Sequence, residues 1–282
     1  MGEPSHFGTH RLSADGRRVA TADLNTAKNV LEIWVYDNAP GAGTRFVFGS
    51  SDNIEPVWSQ DGTRIVFGSS RGKAQFPNLW VRALDGASEE RFLESVDNIT
   101  PLDWSRDGRF LAIIKVPLQG KRNDELWVLD AADRHHQIPV ATEALHQSGA
   151  RFSPDGKWIA YASDESGVLE VYVRAFPGPG GRWKVSAAGG VEPRWRNDGK
   201  ELFYASLDHR IMAVPVAVDS TFHAGKPAEL FPIHPSPFGN VFDVSADGQR
   251  FLVNSVPEDA GSPPLTMLLN WTGLLAKSEP AR

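Results

Sequence analysis

The chain contains no cysteine. Disulfides, thiolate nucleophiles and cysteine-ligated zinc are excluded together. The absence assigns no compartment, because extracytoplasmic proteins can lack cysteine too. Long apolar runs are missing as well. The best candidate, Leu265–Leu275, is interrupted by Asn270, Thr272 and Gly273, and nothing approaches the ~18 apolar residues of a membrane helix. Residues Met1–Phe7 offer neither a basic head nor an apolar stretch, so no secretory signal is read there. A soluble chain without membrane insertion is expected, extracytoplasmic if it comes from a membrane-anchored parent. Basic runs are also lacking, and the net charge is −6, which disfavours a nucleic-acid partner. What remains is ordinary globular composition over 282 residues, with 26 glycines and 20 prolines. That length suffices for one large all-β domain.

An internal repeat dominates the sequence. Asp-Gly recurs six times, at 15–16, 61–62, 107–108, 155–156, 198–199 and 247–248. The glycines are 46, 46, 48, 43 and 49 residues apart, and a serine stands two before the Asp in every unit but the fifth, where Arg196 replaces it. Asp-Gly between apolar runs signals a hairpin, because glycine enters positive φ without steric cost. Each turn follows an apolar anchor: Leu12, Trp58, Trp104, Phe152, Trp195 or Val244. Short β-rich runs come after it, such as Ile65-Val-Phe, then Leu79-Trp-Val, then Arg91-Phe-Leu in the second unit. Four short strands per ~47 residues describe a propeller blade. The expected architecture is all-β, a six-bladed β-propeller of four-stranded antiparallel blades forming one domain over 1–282, with aromatic anchors filling the spaces between blades. The last blade reads as incomplete, since the third strand of unit six (Met267-Leu-Leu) runs into polar Lys277–Arg282. Either the domain is excised from a longer protein or one blade is naturally three-stranded.

The segment Arg151-Phe-Ser-Pro-Asp-Gly-Lys-Trp-Ile-Ala-Tyr161 resembles the core of the TolB-type propeller repeat. Further stretches are Ser163-Asp-Glu-Ser-Gly167, Val171 to Trp183, Pro193 to Tyr204 and Leu269-Asn-Trp-Thr272. Together they resemble the C-terminal propeller of many bacterial eukaryotic-like serine/threonine kinases. That resemblance implies a binding or sensory module excised from a larger signalling protein; a monomer is expected. The chain itself has no Gly-rich phosphate loop, His-Arg-Asp or Asp-Phe-Gly.

No residue is assigned a catalytic role. Gly68-Ser-Ser-Arg-Gly72 matches a nucleophile elbow around Ser70, but that motif needs a strand turning into a helix, whereas a loop is expected. His135-His136 is the sole His pair, and neighbours in a strand face opposite ways. The residues before the six anchors are the better candidates: Arg11, Val57, Asp103, Arg151, Arg194 and Asp243. If the first strand of each blade is innermost, they sit by the central channel, with Glu55, Thr100 and Glu192 slightly earlier in the chain. Arg11, Glu55, Asp103, Arg151, Glu192, Arg194 and Asp243 form the candidate ligand-binding set. The simpler expectation for the same charges is an ion-pair belt satisfied within itself.

The expected function is therefore a non-catalytic scaffold that binds a protein or a small polar ligand, with no cofactor. Loop residues Phe76, Arg122, Trp183 and Phe238 suit protein contacts. One alternative is a calcium-dependent propeller hydrolase or lactonase, with Asp52, Asn53, Asp97 and Asn98 as candidate oxygen ligands. The other is the accessory propeller of a prolyl-oligopeptidase-like peptidase.

Overall fold

The computed structural model describes residues 7–37, 43–72, 77–120, 123–142, 145–178, 180–219, 221–237, 239–255 and 265–268. Six antiparallel sheets follow one another along the chain. Blade one holds β1 (Phe7–Leu12), β2 (Arg18–Asn25), β3 (Val30–Asp37) and β4 (Thr44–Val47). Blade two holds β5 (Asn53–Trp58), β6 (Arg64–Ser69), β7 (Asn78–Ala83) and β8 (Glu89–Leu93). Blade three holds β9 (Asn98–Trp104), β10 (Phe110–Val116), β11 (Glu125–Asp130) and β12 (Gln137–Ala141). Blade four holds β13 (Gln147–Phe152), β14 (Trp158–Ser163), β15 (Glu170–Ala175) and β16 (Arg182–Lys184). Blade five holds β17 (Val191–Trp195), β18 (Glu201–Ala205), β19 (Arg210–Val218), β20 (Phe222–Ala224) and β21 (Ala228–Pro232). Blade six holds β22 (Phe242–Val244), β23 (Phe251–Asn254) and β24 (Leu265–Leu268).

The six Asp-Gly turns form where the repeat puts them, between the first and second strands. Their glycines all have φ between +65° and +73°, a region where a Cβ is strained. The serine hydroxyl donates to the Asp Oδ1 at 2.6 Å in blades one to four. The same oxygen accepts the N–H of the residue after the glycine, and the serine Oγ accepts the N–H one further on. The turn thus closes its own polar groups. In blade five the Arg196 guanidinium replaces the serine and donates Nε–H to Asp198 Oδ1 at 2.8 Å.

Burial is layered rather than central. Five apolar clusters each join one blade to the next, from blades one and two round to blades five and six. Trp58, Trp104 and Phe152 are 6–7% exposed and lie in three of these layers, as expected of the anchors. Among the described residues, the contact of blade six with blade one is polar instead. Asn240 accepts the His10 N–H at 2.6 Å and donates to the His10 carbonyl at 3.0 Å, while Asp243 Oδ2 accepts the Leu12 N–H at 2.8 Å. The ring is therefore closed by side-chain bonds between residues some 230 positions apart.

Blade six has three strands among the described residues, in line with the incomplete last unit read from the sequence. Two expectations need correction. Blade five carries an extra hairpin arm: β20 pairs with the far end of β19, beyond the part that pairs with β21. The arm delivers Phe222, 1% exposed, onto Trp158, Trp183 and Trp195. Trp183 is consequently a half-buried residue of β16 and not a free loop aromatic. Phe76, Arg122 and Phe238 lie outside the described residues, as do Lys277–Arg282.

Candidate functional site

The six residues before the anchors converge. Arg11, Val57, Asp103, Arg151, Arg194 and Asp243 all line one cleft of ≈ 190 Å³ at the end of the channel bearing the Asp-Gly turns. The rim above them is formed by the residue after each serine position: Ala14, Gln60, Arg106, Pro154, Asn197 and Ala246. This convergence follows from the repeat. Each first strand runs along the channel, so equivalent positions in six blades meet in one layer.

Glu55 and Glu192 reach the same charges by a different device. Each sits at a register shift of its inner strand, between Ile54 and Val57 or between Val191 and Arg194. Their φ values are +50° and +55°, unusual for a residue with a long side chain. Bulges commonly redirect side chains next to functional sites. The Glu55 carboxylate accepts from the Thr9 hydroxyl at 2.6 Å and lies 3.8 Å from Arg11. The Glu192 carboxylate lies 2.8 Å from Arg194 Nη2. Thr100, in β9, is half-buried and makes no comparable contact.

The three arginines are not equally satisfied. Arg194 Nε donates to Asp243 at 3.0 Å, and Nη2 donates to both Glu192 and the Phe242 carbonyl. Burial opposes its charge, but Glu192 and Asp243 hold its proton more firmly than usual. Among the described residues, Arg11 has Glu55 alone at ion-pair distance, and its Nε is buried without a partner. Arg151 donates Nη1 to the Leu102 and Ala150 carbonyls, each at 2.6 Å, while Nη2 is buried with no partner. No carboxylate of the described residues stands within ion-pair distance of it. Burial, with Arg11 and Arg194 nearby, pushes its pKa down to about 9. Asp103 uses Oδ2 to accept the Phe152 N–H at 2.8 Å, and burial raises its carboxyl above the usual range despite the field of Arg151. Burial also acts to raise Glu192 and Asp243, yet the arginines hold both below their ordinary values. The belt expected from the sequence is thus closed at blades five and six and left open at blades three and four.

His10 escaped the sequence reading. It stands at a position occupied elsewhere by Pro56, Leu102, Ala150, Pro193 and Phe242, so a polar residue in an otherwise apolar column was the available signal. It is fully buried and faces the Leu252 carbonyl at 3.3 Å. A second cleft of ≈ 620 Å³ was also not foreseen. It runs between blades four and five, is lined by Trp158, Trp195, Lys200 and Val216 among others, and shares Arg106, Ser153, Pro154, Trp195 and Asn197 with the channel mouth.

The remaining candidates are placed elsewhere. Ser70 follows β6 into a turn and accepts the Asp52 N–H at 3.1 Å, and no helix follows it among the described residues. His135 and His136 lie in the turn between β11 and β12, so the argument from strand geometry does not apply to them. Asp52 accepts the Leu31 N–H, Asn53 accepts from Ser69 and Arg71, and Asp97 lies 3.2 Å from Lys115. These groups precede or open β5 and β9, at the end of the channel opposite the cleft. Among the described residues, no group of three or more His, Asp or Glu is arranged to hold a metal. No described helix is long and apolar enough to cross a membrane.

No family model matches the chain. The uncharacterized peptidase YuxL of Bacillus subtilis (strain 168) is 24% identical over 198 residues, which is 63% of this chain and 29% of that protein. The matched region thus spans under a third of that relative's length. Among solved structures, TolB from Acinetobacter baumannii is similar with a TM-score of 0.72 at 17% identity, covering 92% of this chain and 62% of that one. An oligogalacturonate lyase in complex with manganese is similar with a TM-score of 0.62 at 14% identity, covering 96% and 78%. At these identities the likeness speaks to architecture: the chain is a β-propeller of six blades, similar in fold to TolB and to the oligogalacturonate lyase.

Proposed function

We propose that this propeller is a non-catalytic binding module that takes a segment of a partner protein or a small polar ligand at its channel mouth. The observation that carries the reading is the convergence of six equivalent positions on one polar cleft, five of them charged. A rigid scaffold presenting turns and an incompletely paired set of charges is suited to recognition. The resemblance of residues 150–204 to kinase-associated propellers supports a place within a larger signalling protein. The likeness to YuxL supports a second reading, an accessory propeller of a peptidase, in which the same mouth would meet a separate catalytic domain.

A photo-crosslinking experiment tests the binding face. p-Benzoylphenylalanine is introduced at Gln60 or Asn197 on the mouth rim, or at exposed Val96 in the loop before β9 at the opposite end. After irradiation in extract of the source cell, the rim positions should give a discrete crosslinked partner and Val96 should not. Equal crosslinking from both ends would remove the mouth as the binding face.

A further inference from the structure

Arg151 is the unusual member of the channel layer. It is 7% exposed and lines the cleft, and among the described residues its Nη2 has no partner and no carboxylate stands at ion-pair distance. Its equivalent in blade five, Arg194, has two carboxylates. A buried guanidinium left without an anion is costly, and its planar fork matches a carboxylate in two parallel hydrogen bonds. Arg11, also lining the cleft, keeps an unpartnered Nε.

The surroundings favour the same sign. Arg106 is exposed, lines both clefts and forms no ion pair with the described residues. Lys200 stands in the adjoining groove, likewise without one, although Asp155 and Asp198 line that groove too and leave its charge balanced. The six turn segments (12–18, 58–64, 104–110, 152–158, 195–201 and 244–250) hold nine Lys and Arg against seven Asp and Glu, a net +2, although the whole chain is −6. The mouth is therefore the relatively cationic end of an acidic protein. Such a distribution steers anions toward the cleft.

We propose that the channel mouth is a carboxylate-binding site, with Arg151 as the buried anchor and Arg106 as an exposed guide. The inference rests on the mouth being the binding face. Asp103 sets the limit on affinity, because an entering carboxylate brings a second negative charge close to it. The same chemistry is offered by a free dicarboxylate or by acidic side chains of a peptide, and the two sources differ in reach. A peptide long enough to leave the mouth also meets Lys200 and the Trp158–Trp195 wall of the adjoining groove.

The test is ligand-observed NMR with succinate and with neutral succinamide, at ionic strength held constant with sodium chloride. Acetylated, amidated penta-glutamate and penta-glutamine are compared in parallel. Succinate should bind and succinamide should not. Arg151→Gln should weaken succinate by about tenfold or more, as for loss of a charge-assisted pair. Arg106→Ala, at an exposed site that leaves the fold intact, should weaken it by about threefold. Asp103→Asn keeps the acceptor for the Phe152 N–H and should tighten binding instead. Penta-glutamate tighter than succinate assigns the site to peptides; equal affinity assigns it to small acids. Succinamide or chloride acting as well as succinate would overturn the proposal. So would succinate binding indifferent to Arg106→Ala and Asp103→Asn, even if Arg151→Gln does not fold. Rim crosslinking together with a failed succinate test would leave the binding face standing and remove the carboxylate alone.

Discussion

Acidification from pH 7 to pH 4 should discharge a specific part of the protein's stability through His10. The imidazole is fully buried where blade six meets blade one, with one nitrogen facing the Leu252 carbonyl and Nδ1 without a partner. Burial is the largest influence and pushes its pKa down from 6.5 to about 4, with Asp243 opposing and Arg11 and Arg194 assisting. Between those values the unfolded chain holds a proton that the native state refuses. Stability is therefore intact above pH 6.5 and falls as pH drops toward 4. At 1.36 kcal/mol per unit, the shift corresponds to about 3 kcal/mol, a large part of a typical domain's 5–15 kcal/mol. Asp103 works in the opposite sense: its raised pKa makes the native state bind more protons than the unfolded chain above 3.8, so stability rises as that group is protonated. The two effects are separated by comparing the wild type with His10→Gln, whose amide can still donate to Leu252. Urea unfolding at pH 7.0, 6.0, 5.0 and 4.5 should show the wild type losing about 1 kcal/mol more per pH unit than the variant below pH 6.5. Parallel curves for the two proteins would refute the assignment.

Further outcomes are expected elsewhere in the molecule. Phe222→Ala should cost about 3–5 kcal/mol in chemical denaturation, because β20 exists to bury that ring among Trp158, Trp183 and Trp195; a loss below about 1 kcal/mol would mean that the hairpin arm contributes little to the fold. Calcium or a chelator should leave the melting temperature unchanged within about 1 °C, since a cation bound by the native state would raise it by mass action. A clear calcium-dependent rise would instead favour the hydrolase alternative and direct attention to Asp52, Asn53, Asp97 and Asn98.

The local, repeated part of the fold is written in the chain. Ser-x-Asp-Gly closes its own hydrogen bonds within six residues, so each turn is legible without knowledge of the ring. The anchors at fixed distance before it place one side chain per blade in each layer, and the position before them lines the channel for the same reason. Hairpin β20 was missed because Phe222 lacks a local partner of its own kind; its reason for being is a tryptophan cluster drawn from blades four and five. Charge pairing was decided by tertiary structure alone. Arg151 and Arg194 occupy equivalent positions, and each has an Asp one blade away, at 103 and 243. Only Arg194 has a bulged glutamate beside it and an Asp within reach, because Gly149 stands in blade four where Glu192 stands in blade five. Both Asp residues give Oδ2 to the anchor amide of the following blade, Phe152 or Leu12, but only Asp243 also has its Oδ1 on an arginine. Which charge is left without its counterion depends on ångström-scale contacts between blades nearly fifty residues apart, and these exist only once the ring has closed.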